Sequence, residues 1–331
     1  MTAPLSYLQA IRDAQIEEME RDPLVIVMGE DIRSNIYGST GGLFERFGAD
    51  RVLDTPMSET GFVGCGIGAA MTGLRPIVDM GMASFLYCAT DQLVSQAAKN
   101  RYLFGGQARL PITIRAGLFY NRSNAGHHAD RPYPMFMSVP GLKIIAPASP
   151  ADAKGLLKSA IREDDPVLCF EDSTCWPCRE VVPDGDHLEP IGVGRVRRRG
   201  TDATVVAISG AVLAAESAAD ALSKEGVSVE VIDPRTLVPM DYDLILASVA
   251  RTGHLVVADP ANRTCSAASE IAARAAEAIF DSLKGPVIRV TTPDTHIPFS
   301  RAMERQLYPS AERIAWALRK TLGLARLQKA V

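Results

Sequence analysis

No apolar run in the sequence reaches the roughly 18 residues that a membrane-crossing helix requires. No block of basic residues offers a footprint for nucleic acid, and the formal net charge is −4. The acidic, amphipathic start MTAPLSYLQAIRDAQIEEMERDP lacks the basic lead and apolar core of a secretion signal. We therefore expect a cytoplasmic protein with neither nucleic acid nor membrane as partner. Cysteine is sparse, at Cys65, Cys88, Cys169, Cys175, Cys178 and Cys265. In a chain of 331 residues such scatter points to free thiols rather than a disulfide framework. Cys175-Trp-Pro-Cys178 has the spacing of a redox pair, but charged, Pro- and Gly-containing sequence follows it, and no second pair completes a zinc site. Both phosphate-binding glycine loops, G-x-G-x-x-G after a strand and G-x-x-x-x-G-K-[ST], are missing.

What is present is alternation. The runs LVIVMG (24–29), PIVDM (76–80), PITIR (111–115), LKIIAP (142–147) and PVLCFE (166–171) read as buried strands. Helical patterns lie between them at 5–21, 59–72, 89–104 and 150–163, the last with Ser149 and Asp152 as start signals. Residues 172–203 are rich in Pro, Gly and charge and read as a linker with an irregular start. Strand–helix alternation then resumes from TVVAISG to PVIRVTT, and Gly226 suits the end of the helix that begins at Ala211. The expected class is α/β, in two domains at 1–185 and 186–331, each a mostly parallel sheet flanked by helices.

Three stretches are candidates for chemistry. In DTPMSETGFVGCGIGAAMTG (54–73), Glu59 heads a glycine-rich helix with Ser58 as its N-cap. Glycine costs a helix about 1 kcal/mol relative to alanine, so the small face of Gly64 and Gly68 calls for close approach by a helix or a flat ligand. A carboxylate in a first turn is also common on any surface helix. Phe85 sits at a strand-to-helix junction, where α/β folds place ligands and also core. The long loop after residue 117 carries adjacent His127 and His128, which read as functional or as a solvated pair.

Taken together, DTPMSETGFVGCGIGAAMTGLRPIVDM, FLYCATDQLVSQAAKNRY, PGLKIIAPASPADAKGLLKSAIREDDPVLCFE, VIDPRTLVPMD and SEIAARAAEAIF…PVIRVTTPDTHIPFS resemble the beta subunits of thiamine diphosphate-dependent 2-oxo acid dehydrogenases, of pyruvate, branched-chain or acetoin type, with a transketolase-like fold. The resemblance covers nearly the whole chain. It implies a pyrimidine-binding domain followed by an assembly domain. Glu59 would be the cofactor glutamate, with Phe85 and Gly61 as further cofactor contacts. His128, or His127 in its place, would meet the substrate. The family's usual Ser-Gln after this histidine is here Ala129-Asp130.

The resemblance further implies a potassium site at Ile112, Ala160, Ile161, Glu163 and Asp165. The Gly-Asp-Gly motif that holds diphosphate and magnesium in thiamine enzymes is missing; PDGD at 183–186 lies in the linker. Diphosphate and magnesium would then belong to an alpha subunit in an α2β2 assembly. That assembly would decarboxylate a small 2-oxo acid and acylate the lipoyl carrier of an acyltransferase core. Acetoin cleavage, specialised acyl transfer or ligation, and a non-catalytic assembly role are the alternatives.

Overall fold

Buried β-branched runs build the first sheet. The computed structural model describes residues 3–120, 122–183 and 185–324; Asp184, within the PDGD stretch, lies outside them. The chain divides into two units. The first takes residues up to Tyr120, His127–Ile191 and Leu237–Pro239; the second takes Gly192–Thr236, the chain from Met240 onward and the segment just ahead of His127.

Seven strands form the sheet of the first unit, in the order Thr236–Val238, Lys143–Ile145, Val167–Asp172, Thr113–Leu118, Arg75–Met82, Val25–Gly29 and Val52–Asp54. From Lys143–Ile145 to Val52–Asp54 every neighbouring pair is parallel. The strands Val25–Gly29 and Thr113–Leu118 are buried along their whole length, as expected of a sheet covered on both faces. Val52–Asp54 is too short to have announced itself in the sequence.

Helix Tyr7–Arg21 begins with a capping box: Ser6 Oγ accepts from the Gln9 amide and Gln9 Oε1 accepts from the Ser6 amide. It runs against helix Pro150–Arg162, whose start is capped by Ser149 as expected. Glu17 joins the two helices by ion pairs to Lys154 (2.5 Å) and Lys158 (2.7 Å). The expected helix at 89–104 is not continuous. The Ala98 amide bonds the Leu93 carbonyl five residues back (3.0 Å), which widens the turn. A short helix, Asn100–Leu103, follows, and left-handed Gly105 and Gly106 end it.

Beneath the carboxyl ends of the strands lies Arg115, 1% exposed. Its five N–H groups all find acceptors. Nε and Nη2 donate to Glu171 (2.6 and 2.9 Å), Nη1 to Asp79 (2.8 Å) and Gln15 (3.2 Å), and Nη2 also to Ser39 (3.0 Å). Burial pulls the guanidinium pKa down, but the Glu171 and Asp79 charges outweigh it and leave it raised. One side chain thus joins three strands, a helix and the loop at Ser39.

The second unit carries five strands in the order Ile288–Thr292, Leu255–Asn262, Ala203–Ala207, Val229–Asp233 and Arg195–Arg198. All pairs are parallel except the last. Gly226 adopts the left-handed conformation just past helix Ala211–Ser223, and the Val227 amide bonds the Leu222 carbonyl (3.1 Å), closing the helix as expected. Arg195–Arg198 falls in the stretch expected to be irregular. It forms an edge strand whose Arg197 pairs with Glu216 (2.9 Å) and whose Arg198 pairs with Asp220. Among the described residues no helix is long and apolar enough to cross a membrane.

Candidate active site

In parallel α/β sheets ligands bind beyond the carboxyl ends of the strands, because side chains there stand on loops above a rigid edge. In the first unit that edge presents Glu30 after Val25–Gly29, Glu59 after Val52–Asp54, Phe85 after Arg75–Met82, and His127 and His128 after Thr113–Leu118.

Glu59 is the first residue of helix Glu59–Met71 and is half-buried. Ser58 occupies the N-cap position but its hydroxyl makes no capping bond. It folds over Gly61 instead: a Cβ on Gly61 would lie 2.9 Å from Ser58 Oγ. The Ser58 amide is turned to Glu30. Burial pushes the Glu30 carboxyl above the usual carboxylate range, and the nearby Glu59 and Asp31 charges push it further. Glu30 Oε1 is buried without a hydrogen-bond partner among the described residues. Glu30 escaped the sequence reading; its signal is a Gly-Glu-Asp triplet at the end of a buried strand.

The same helix start is tied to the turn that carries Phe85, since Thr60 Oγ1 donates to the Cys88 carbonyl (2.7 Å). Phe85 is half-buried in the one-turn segment Ala83–Tyr87. His128 stands edge-on to it, with ring centroids 5.5 Å apart at 83°. His128 Nδ1 is buried and has no partner among the described residues. His127 is exposed, its ring 6.4 Å from that of His128. The structure therefore groups Glu59, Phe85 and His128 with Glu30, and leaves His127 at the surface.

Helix Glu59–Met71 shows two different uses of glycine. Gly66 faces the sheet, where a Cβ would come within 2.8 Å of Val78. Gly64 and Gly68 serve no close packing among the described residues. A Cβ on Gly68 would meet nothing within 4 Å, and one on Gly64 only Gln92 at 3.9 Å. The small face is uncovered.

Cys175 and Cys178 stand in two successive turns, with the Cys175 amide bonded to Asp172 (3.0 Å) and the Cys178 amide to Cys175 (2.9 Å). Among the described residues neither forms a disulfide. The turns present Trp176, whose ring meets Phe119 at 5.2 Å and Tyr37 at 6.1 Å. The stretch serves an aromatic wall at the strand ends.

The residues expected to ring a potassium ion do not fit one. Arg75 donates to the carbonyls of Ile161 (2.9 Å) and Glu163 (2.6 Å). The Glu163 carboxylate takes Lys143 (2.5 Å), and Asp165 pairs with Arg101. The carbonyls of Ile112 and Ala160 accept the amides of Val167 (3.0 Å) and Glu163 (3.2 Å). Cationic side chains of the chain itself neutralise this segment. Among the described residues no group of three or more His, Cys, Asp or Glu gathers to hold a metal.

Comparison with known proteins gives the family. Residues 3–174 match the family model of the transketolase pyrimidine-binding domain, and residues 192–314 that of the transketolase C-terminal domain. The acetoin:2,6-dichlorophenolindophenol oxidoreductase subunit beta of Bacillus subtilis is 40% identical, over 98% of this chain and 98% of its own length. The 2-oxoisovalerate dehydrogenase subunit beta of the same organism is 39% identical over 96% and 98%. Its pyruvate dehydrogenase E1 component subunit beta is 37% identical over 97% and 99%. A solved split-gene transketolase shares the fold, with a TM-score of 0.78 at 22% identity, covering 97% of this chain and 99% of its own. This chain belongs to the family of beta subunits of thiamine diphosphate-dependent 2-oxo acid and acetoin dehydrogenases, built from a transketolase pyrimidine-binding domain and a transketolase C-terminal domain.

Proposed function

We propose that Glu59, Phe85 and His128 are this chain's share of a thiamine diphosphate site that an alpha subunit completes. The observation that carries the reading is their convergence, with Glu30, at the carboxyl edge of the first sheet. The residues fit the aminopyrimidine half of the cofactor. Phe85 offers a half-open ring face, Glu59 a carboxyl at a helix start, and His128 Nδ1 and Glu30 Oε1 are buried polar atoms in want of partners.

When bound, thiamine diphosphate supplies a thiazolium carbon that becomes nucleophilic on losing its proton. Glu59 holds a proton at its carboxyl oxygen for the pyrimidine ring nitrogen, the position from which a general acid–base acts on the cofactor. Glu30, raised by burial first and then by the Glu59 and Asp31 charges, sets a second carboxyl beside the site. Phe85 fixes the ring plane, and His128 offers Nδ1 to a polar group of the substrate.

The reaction opens the carbon–carbon bond beside a carbonyl of a small donor, and the acyl group passes to a lipoyl carrier. The lipoyl disulfide is the oxidant: one sulfur takes the acyl group and the other a proton. A 2-oxo acid leaves carbon dioxide as the second product; acetoin leaves acetaldehyde. The sequence has no diphosphate motif, so magnesium and diphosphate fall to the alpha subunit, in an α2β2 arrangement that covers the bare face at Gly64 and Gly68. No role falls to potassium.

Titration calorimetry with thiamine diphosphate and magnesium tests the reading. The chain alone is expected to show no tight binding and no turnover, and the chain mixed with its alpha subunit to show both. Tight binding and turnover by the isolated chain would overturn the half-site.

A further inference from the structure

Two residues beyond His128 the chain places a carboxylate. Ala129, between them, has no exposed surface, so the backbone here is held from below. The Asp130 amide donates to Ser84 Oγ (3.3 Å), and Ser84 is the neighbour of Phe85 in the turn Ala83–Tyr87. Asp130 is thereby fixed between the histidine and the aromatic turn, with its side chain half-buried.

Two further observations locate its charge. Burial first, and the Asp130 charge second, push the Tyr87 hydroxyl above its ordinary range, so the carboxylate lies close to the outer end of that same turn. Arg131 as a residue is 5% exposed; its guanidinium packs 3.9 Å over the Tyr120 ring and donates to the Ala129 carbonyl (2.5 Å). Among the described residues no Lys, Arg or His forms an ion pair with Asp130. The neighbouring pocket beside Phe85 is also lined by Glu30, Asp31 and Asp79, and by no cationic side chain. Asp79 is taken by Arg115, which leaves Asp31 as the carboxylate of this pocket whose charge adds to that of Asp130.

We propose that Asp130 selects the donor by charge, disfavouring 2-oxo acids, whose carboxylate would share the cleft with it, and leaving an uncharged α-hydroxy ketone of the acetoin type as the preferred substrate. The proposal rests on the thiamine half-site reading above. Like charges in a partly buried cleft repel strongly enough to shift preference by an order of magnitude, and a repulsive element is an effective way to reject one of two isosteric donors.

The test uses the chain assembled with its alpha subunit, thiamine diphosphate and magnesium. Steady-state kinetics with acetoin and with pyruvate are compared for the native protein and Asp130→Asn. Asparagine keeps the backbone amide that bonds Ser84, so the turn is retained, and a thermal melt checks this. We expect the native protein to prefer acetoin. We expect Asp130→Asn to raise the pyruvate-to-acetoin ratio of kcat/KM by about tenfold, chiefly through a lower KM for pyruvate. Added salt is expected to lower the pyruvate KM of the native protein and to leave that of Asp130→Asn unchanged.

Binding of methyl acetylphosphonate, an anionic pyruvate analogue, measured by calorimetry, should tighten by a similar factor. A native protein that prefers pyruvate, or an unchanged ratio in Asp130→Asn, overturns the selection and leaves the thiamine reading standing. Failure of both proteins to cleave either donor overturns that reading and the proposal with it.

Discussion

The imidazole of His128 stands edge-on to the ring of Phe85, with centroids 5.5 Å apart and planes at 83°. The contact separates two adjacent histidines, of which the resemblance puts His128 first. His128 turns a buried, unpartnered Nδ1 toward the interior, and His127 faces solvent. In the assembled enzyme His128→Ala should lower turnover by about 10²-fold, the scale of one acid–base or hydrogen-bonding group. Cofactor affinity should change little. His127→Ala should stay within about threefold of the native rate, well below the effect of an acid–base group. Parallel kinetics of the two variants decide it, and the reverse pattern would move the substrate contact to His127.

Glu30 makes a prediction about pH. Its carboxyl is raised by burial and by the Glu59 and Asp31 charges. A raised acid binds its proton more tightly in the folded state. Its contribution to stability is therefore complete below the unfolded carboxylate value, about 4.3, and is lost as pH rises through the folded one. In the isolated chain Glu30→Gln should melt higher than the native protein at pH 7 and show little difference at pH 4. Calorimetric melts at the two pH values check this, and equal differences at both would remove the coupling between Glu30 and Glu59.

Gly68 tests the bare helix face. A Cβ there meets nothing within 4 Å among the described residues, and leaving glycine behind favours the helix by about 1 kcal/mol. Gly68→Arg should therefore fold with an undiminished melting temperature and fail to assemble with full mass in sedimentation velocity. Normal assembly would show that this face stays uncovered.

The alternation that defines the two units was legible because buried strands leave apolar runs and helices leave amphipathic ones. Val52–Asp54 and Arg195–Arg198 were not. The first is three residues long, and the second is an edge strand whose arginines find partners on the helix Ala211–Ser223. The break before Ala98 depends on a widened helical stretch, Gln92–Ala97, which no composition encodes. In the site, Glu59, Phe85 and His128 could be named from motifs. Glu30 could not, and Asp130 showed only as a departure from the family's Ser-Gln, because their meaning comes from what the fold sets beside them: Glu59 in one case and the Ser84–Tyr87 turn in the other. The cations that meet the expected potassium residues were hidden for a similar reason, since Arg75 and Arg101 lie far from them in sequence.

The most direct measurement of the central claim is deuterium exchange at the thiazolium carbon of bound thiamine diphosphate, followed by quenched-flow NMR beside a thermal melt. The comparison is between the native assembly and Glu59→Gln. Glutamine keeps the shape of the side chain at the start of helix Glu59–Met71 and loses only about 0.3–1 kcal/mol of helix-dipole energy, so folding and assembly should be retained. Exchange should slow by at least about two orders of magnitude if the Glu59 carboxyl relays the proton. Exchange at the native rate in a well-folded Glu59→Gln assembly would make Glu59 an ordinary helix-start residue and contradict the site.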